Sequence, residues 1–233
     1  MQGTRTRNIN YLKFDQLNDQ SHFLAQKVAD ILQSQITQNK QASLAVSGGS
    51  TPKTLFTLLS LIDIEWYKVT ITLVDDRWLA PNHKNSNQQL VEQHLLQNCA
   101  AKAHFIGLYQ PGLTVDQAVP TINSHFSNVA LPFDVVLLGM GNDGHTASLF
   151  PCCHQIDAGL STSDLYLATH PSTAQYARIS LSAEAIGEAK HLFLQIKGDD
   201  KQQTLSTALA GDNVREMPIR RFLNNQITVL WCP

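Results

Sequence analysis

The chain is short of the features that mark whole classes of protein. No apolar run approaches the roughly 20 residues that cross a bilayer. The opening Met1-Gln-Gly-Thr-Arg-Thr-Arg7 has no apolar stretch of the signal-peptide kind. A cytoplasmic protein with no membrane partner is therefore expected. Cysteine is scarce: Cys99, Cys152, Cys153 and Cys232 make no CxxC and no framework spacing, which reads as reduced thiols. The 9 histidines form no HxH, no HExxH and no Cys/His cluster, so no metal is expected. Excess charge is lacking too, with 17 Lys+Arg against 19 Asp+Glu and a formal net charge of −2, so nothing electrostatic calls for nucleic acid. There is no internal repeat, low-complexity tract or linker. At 233 residues and 43% hydrophobic, the expectation is one domain, 1–233, whose core needs no staples.

What is present is an alternation of short apolar strands and amphipathic helices. Phe23, Leu24, Val28, Ile31, Leu32 and Ile36 recur at helical spacing over 19–38, with Asp19 or Ser21 as the candidate N-cap. Strands are expected at 42–46, 69–74, 103–106, 133–138, 165–168, 177–181, 192–196 and 227–231. Helices are expected after Pro52, through Leu90 to Leu95, over 115–126 despite Pro120, after Ser182, and from Gly198 to about Leu209. Strand–helix alternation of this kind predicts an α/β fold, a doubly wound and mostly parallel sheet flanked by helices, Rossmann-like in layout.

The stretch Phe133-Asp-Val-Val-Leu-Leu-Gly-Met-Gly-Asn-Asp-Gly-His-Thr-Ala-Ser-Leu-Phe-Pro151 organises the rest. A strand buried on both faces runs into Gly139, Gly141 and Gly144, with Asp143 and His145 among them. Glycines let a ligand come close to the main chain there. Thr146 to Phe150 is expected to start a short helix before Pro151 ends it. Two further loops follow strands. Ser47-Gly48-Gly49-Ser50-Thr51 precedes a helix, and its amides, hydroxyls and helix dipole suit a phosphate, although this loop has neither a Walker lysine nor GxGxxG. Asp75-Asp-Arg77 sets two carboxylates and a guanidinium at a strand end. Each has a plain alternative: a capped βα turn, a surface ion pair, a packing histidine, and, for Arg178 and Lys201, solvated cations. Ser148 is no nucleophile elbow, since GxSxG is absent. Three of these signals nevertheless fall at the carboxyl ends of strands, where open α/β sheets bind ligands.

Together, Ser47 to Pro52, Asp75-Asp-Arg77 with Ser86-Asn87, and Leu138 to Pro151 closely resemble the 6-phosphogluconolactonase family. Arg178-Ile-Ser and Gly198-Asp-Asp-Lys201 look like its later, weaker motifs. The resemblance implies a fold of the sugar-phosphate isomerase type and hydrolysis of 6-phospho-D-glucono-1,5-lactone in the pentose phosphate pathway. It implies neither cofactor nor metal. On this reading His145 is the general base, Asp75 ahead of Asp143 orients it or holds a substrate hydroxyl, a choice the sequence leaves open, and Arg77 meets the substrate anion or oxyanion. The resemblance puts the phosphate between Gly48, Gly49, Ser50 and Thr51, Arg178 and Lys201. The partner is then a small sugar-phosphate lactone, and the assembly a monomer or small homo-oligomer. Glucosamine-6-phosphate deaminase/isomerase is the nearest alternative, but its glutamate five positions after the histidine is Phe150 here, and Asp-Glu-Tyr becomes Asp75-Asp-Arg77. A phosphosugar-sensing module is a further alternative, which could dispense with the histidine or the Asp-Arg pair.

Overall fold

Residues 9–224 and 226–233 are described by a computed structural model. In chain order the elements are β1 Asn10–Lys13, α1 Leu17–Asn39, β2 Ala42–Val46, α2 Pro52–Leu61, β3 Val69–Leu73, β4 Asp75–Arg77, α3 Asn87–His94, β5 His104–Ile106, α4 Val115–His125, β6 Val135–Leu138, α5 Ile156–Ser161, β7 Tyr166–Thr169, β8 Arg178–Leu181, α6 Ala183–Gly187, β9 His191–Lys197, α7 Asp199–Leu209 and β10 Ile227–Cys232. Seven strands form one parallel sheet in the order β1-β10-β9-β6-β2-β3-β5.

The order explains where a site must lie. From β2 the chain builds outward through β3 to β5, then returns to lay β6 against the other side of β2. The loops leaving β2 and β6 therefore diverge to opposite sides and open a crevice between them. Both strands are buried along their whole length, and Ser47 N–H donates to the Leu137 carbonyl at 3.0 Å, locking the two ends together. Leu44, Val46, Val135 and Val136 are fully buried, each contributing about 1.5–3 kcal/mol of transfer free energy. The floor under the crevice is thus apolar and fully buried.

The structure departs from the sequence-based expectation in several places. Strands 165–168 and 177–181 do not join the main sheet. With Asp75–Arg77 they form a separate antiparallel sheet, β4-β8-β7. Its junction with the main sheet is Val74, whose N–H donates to Val46 and whose carbonyl accepts from Leu181 N–H. Strand β1 was not expected, since its largely exposed Asn10–Lys13 offers no apolar run and is held at the sheet edge by pairing with β10. The helix expected over 146–150 is a tight turn with a Thr146–Leu149 bridge and Ala147 at φ 52°; the next helix waits until Ile156. Tertiary bonds hold this turn: Thr146 Oγ1 donates to Gly139 O at 2.8 Å, and Ser148 N–H to Ser180 Oγ at 3.1 Å. Helix α1 starts at Leu17 with Gln16 before it and no side-chain cap, so neither Asp19 nor Ser21 caps it. Phe23, assigned to its apolar face, is 43% exposed, with its ring against Phe14. Helix α4 runs through Pro120, its start secured by a Thr114–Gln117 capping box.

Candidate active site

The turn after β6 is built by its own backbone. Gly141 N–H donates to the His145 carbonyl at 2.9 Å and Gly144 N–H to the Gly141 carbonyl at 3.0 Å. This closure folds the His145 ring back over Gly141, where a Cβ would lie 2.2 Å from Nδ1. Only glycine fits there. Asp143 Oδ1 then accepts from His145 N–H at 3.1 Å and meets His145 Nδ1 at 2.6 Å. Below the imidazole, Phe150 stacks with ring centroids 3.9 Å apart at 26°. Among the described residues no protein group bonds His145 Nε2.

Burial pushes the Asp143 carboxyl up, but the hydrogen bond and charge of His145 outweigh it, and the group lies below its ordinary value. A carboxylate beside Nδ1 fixes the tautomer with the proton on Nδ1 and the lone pair on Nε2. The expectation that Asp75 stands beside the imidazole in preference to Asp143 is therefore corrected. Asp75 is buried elsewhere in the wall, with Oδ2 accepting from Ser148 Oγ at 2.5 Å.

The second wall comes from β4 and β8. Their register sets Arg77 directly opposite Arg178, and neither guanidinium forms an ion pair among the described residues. Arg77 Nη1 donates to Asn85 O at 2.6 Å. Arg178 lies 5.0 Å from the Phe150 ring, and its buried Nε has no hydrogen-bond partner among the described residues. Desolvation holds the Arg178 guanidinium below its ordinary value; Asp75 opposes that shift and Arg77 adds to it. Like charges directly opposite in a sheet are unfavourable.

Asp76 braces that wall. Oδ1 accepts from Arg77 N–H and Asn87 N–H, both at 2.7 Å; Oδ2 accepts from Ser86 Oγ at 2.9 Å and Gln88 N–H at 3.1 Å. Burial nevertheless dominates these bonds and, with repulsion from Asp75, raises its carboxyl to about 6. Asn87, placed by Asp76, donates Nδ2 to the Asp75 carbonyl at 2.8 Å. It also presses against Gly48, where a Cβ would fall 1.8 Å from Asn87 Oδ1.

Two adjoining cavities result. One, of about 200 Å³, is lined by Asp75, Arg77, Asn87, His145 and Arg178. The other, of about 190 Å³, is lined by Ser50, Thr51, Gln195 and Lys201. Ser47, Gly48, Gly49, Gly139 and Met140 belong to both. The structure thus gathers His145, Asp75, Arg77 and Arg178 in one chamber and Ser50, Thr51 and Lys201 in the next, with Gly48 and Gly49 between. Asp143 stands behind the imidazole and lines neither chamber. Arg178 and Lys201, grouped by the resemblance, lie on different sides of the shared loop.

Sequence reasoning missed Asp76 as a brace, Asn87 as a lining group, and Gln195. Gln195 is a single amide amid Leu194 and Ile196 of β9, and that polar interruption was its available signal. Its buried Oε1 and the Ser47 Oγ lack hydrogen-bond partners among the described residues. Gly139, Gly141 and Gly144 also satisfy GxGxxG spacing. A dinucleotide fingerprint needs a helix opening there, whereas here a turn and an imidazole follow. Among the described residues no group of three or more His, Cys, Asp or Glu is placed to hold a metal, and no helix is long and apolar enough to cross a membrane.

Residues 15–231 match the family described as glucosamine-6-phosphate isomerases/6-phosphogluconolactonase. A relative from Pseudomonas aeruginosa, named 6-phosphogluconolactonase, is 39% identical over 217 residues, 92% of this chain and 91% of the relative. A crystal structure of a 6-phosphogluconolactonase from Shewanella baltica OS155 superposes with a TM-score of 0.96 at 41% identity, covering 98% of this chain and 99% of that one. A monomeric glucosamine-6-phosphate deaminase has the same fold, with a TM-score of 0.78 at 16% identity over 96% of this chain and 97% of that one. The backbone alone does not separate the two chemistries, and the side chains of the crevice must.

Proposed function

Because the chain belongs to the family of glucosamine-6-phosphate isomerases and 6-phosphogluconolactonases, we propose that it hydrolyses 6-phospho-D-glucono-1,5-lactone to 6-phospho-D-gluconate with His145 as general base. The observation that carries this reading is the imidazole held between Asp143 and Phe150, its Nε2 unengaged among the described residues, in a chamber walled by two arginines that form no ion pair among those residues.

A δ-lactone is an activated ester, so water suffices as the nucleophile. Nε2 takes a proton as the water oxygen bonds to C1, and Asp143 stabilises the imidazolium through Nδ1–H. Arg77 lies where it can meet the oxyanion formed from the carbonyl. As the intermediate collapses, the bond from C1 to the ring oxygen breaks. The imidazolium returns its proton to that oxygen, which becomes a hydroxyl, and the carboxylic acid ionises. Positioned proton transfer of this kind contributes about 10²–10⁴-fold. The phosphate, remote from C1, falls to the amides of Gly48 and Gly49, the hydroxyls of Ser50 and Thr51, and Lys201, with Arg178 on the adjoining wall. Its binding energy holds the lactone against His145. Neither step calls on a metal or cofactor.

Aminosugar deamination is disfavoured by Phe150. The position that carries a glutamate in the deaminase pattern is a buried ring stacked under the base. The deciding experiment generates the phosphorylated lactone in situ and follows its loss above the spontaneous rate, with glucosamine 6-phosphate run in parallel for ammonia. Enzymatic lactone loss without ammonia is the expected result. Ammonia release with no gain in lactone hydrolysis would replace this reading with the deaminase one, and binding of 6-phosphogluconate without either turnover would favour a sensor.

A further inference from the structure

We propose that Asn142 is a positioning residue that tethers Lys201 at the mouth of the phosphate cavity and so ties that cavity to the turn carrying the base. The inference rests on the lactonase reading of the site. Asn142 sits at the exposed tip of the turn, immediately before Asp143, and its Oδ1 accepts a hydrogen bond from Lys201 Nζ. Lys201 is the third residue of α7 and lines the cavity beside Ser50 and Thr51. Among the described residues it forms no ion pair, although Asp199 and Asp200 precede it. A lysine stem of four carbons is ordinarily free to sweep through solvent. One amide acceptor holds it in place while leaving two of its three ammonium N–H groups for a ligand. The choice of an amide matters: a carboxylate at the same point would neutralise the cation and repel a phosphate dianion.

The same residue connects two structural parts. Toward α7, Asn142 shares a cavity wall with Asp200, Gln203 and Thr204. On the far side of the turn, Ile219 N–H donates to the Gly144 carbonyl at 2.9 Å. The turn is thereby held from α7 through Lys201 and from the 217–219 segment through the backbone. A ligand that draws Lys201 inward pulls on Asn142, whose chain neighbour Asp143 sets the His145 tautomer. Phosphate recognition and base orientation are linked through one contact.

The test compares wild type, Asn142→Ala, Asn142→Asp, Lys201→Ala and the Asn142→Ala/Lys201→Ala double variant on phosphorylated and unphosphorylated glucono-1,5-lactone. Asn142→Ala is expected to raise KM for the phosphorylated lactone about three- to tenfold, the scale of immobilising one long side chain. The ratio of kcat/KM between the two lactones should fall by the same factor. Asn142→Asp should lose at least as much, and the double variant no more than Lys201→Ala alone. Equal losses on both lactones would mean that Asn142 merely shapes the turn, and additive losses would mean that it acts apart from Lys201; either overturns the tether. If wild type fails to hydrolyse the phosphorylated lactone, the lactonase reading falls instead. Calorimetric affinity for 6-phosphogluconate then still reads the tether: a threefold or greater weakening by Asn142→Ala supports it, and unchanged affinity sinks it.

Discussion

Asp143 and Asp76 stand in two segments that shape the same crevice, and they are opposites. Asp143 is 42% exposed on its side chain, bonded to a residue two places along, and its carboxyl lies below the ordinary value. Asp76 is buried, gathers backbone and hydroxyl donors from Arg77 to Gln88, and is pushed up to about 6. The first is a local device: a carboxylate, a glycine and an imidazole within one turn. The second is a tertiary one, pinning a three-residue strand to the N-terminus of α3. The comparison separates a carboxylate that orients a neighbouring imidazole from one that holds a wall, though both are aspartates beside the same crevice.

The sharpest break in this comparison is removal of the base itself. His145→Ala is expected to lower kcat for the lactone by about 10²–10⁴-fold while 6-phosphogluconate still binds, because a lost base acts on the chemical step. The turn should survive, since its closure uses backbone groups. Steady-state kinetics set against calorimetry decide it: wild-type turnover in a folded variant removes His145 from the mechanism.

Next in size is the ring beneath the base. Phe150 is 4% exposed and contacts both His145 and Arg178, so Phe150→Ala should cost about 3–5 kcal/mol of stability by denaturant titration. Phe150→Glu adds a buried carboxylate and should not create ammonia release from glucosamine 6-phosphate, since reaction identity depends on the whole constellation. Ammonia released by the Glu variant alone would mean that one position separates the two chemistries.

How much of this was readable beforehand follows the same division. The buried runs of β2, β3, β6, β9 and β10 announce themselves as continuous apolar strands, and the glycine-rich turn with His145 stands out because its parts are adjacent in sequence. Asp75–Arg77 does not read as a strand, because three charged residues become one only by pairing with Arg178–Ser180, about a hundred positions away. Exposed β1 likewise exists through its partner. Residues 146–150 have helix-compatible composition, yet bonds to Gly139 and Ser180 outweigh that weak preference. Asp75 looked the better helper for the base because burial and hydrogen bonding to Ser148 are invisible in sequence.

The brace can be probed through pH. A carboxyl raised from 3.8 to about 6 on folding favours the folded state when protonated. Its stabilising contribution is complete below about pH 4 and is lost as pH rises through about 6, by up to about 3 kcal/mol. Asp143 works the other way, its contribution present at neutral pH and lost as pH falls through its lowered value. Asp76→Asn removes the first effect and leaves the second. The stability difference between Asp76→Asn and wild type should therefore move in favour of the variant between pH 4 and pH 7, read from urea midpoints. A difference that is flat with pH would mean that the bonds from Asn87, Gln88 and Ser86 offset the burial of Asp76 in full, and that its carboxyl is not raised on folding.

The smallest effect should come from Arg178, which belongs to both regions: it pairs with β4 and packs on the ring beneath His145. Among the described residues its buried Nε is unpartnered, and its register sets it against Arg77, so the folded state carries a cost that Asp75 offsets only in part. Arg178→Ala should weaken 6-phosphogluconate binding by about 1.5–3 kcal/mol, the scale of a hydrogen bond to a charged group. Folding stability should fall by less than that or rise, because the desolvated cation and its repulsion leave together, while Asp75 retains its bond from Ser148. Calorimetry and thermal melting on the same sample separate the two outcomes. A large loss of stability with little loss of affinity would make Arg178 a structural partner of Phe150 and Asp75. The opposite pattern would mark the arginine pair as a place where stability is given up for binding, which is how a site differs from a core built of the same strands.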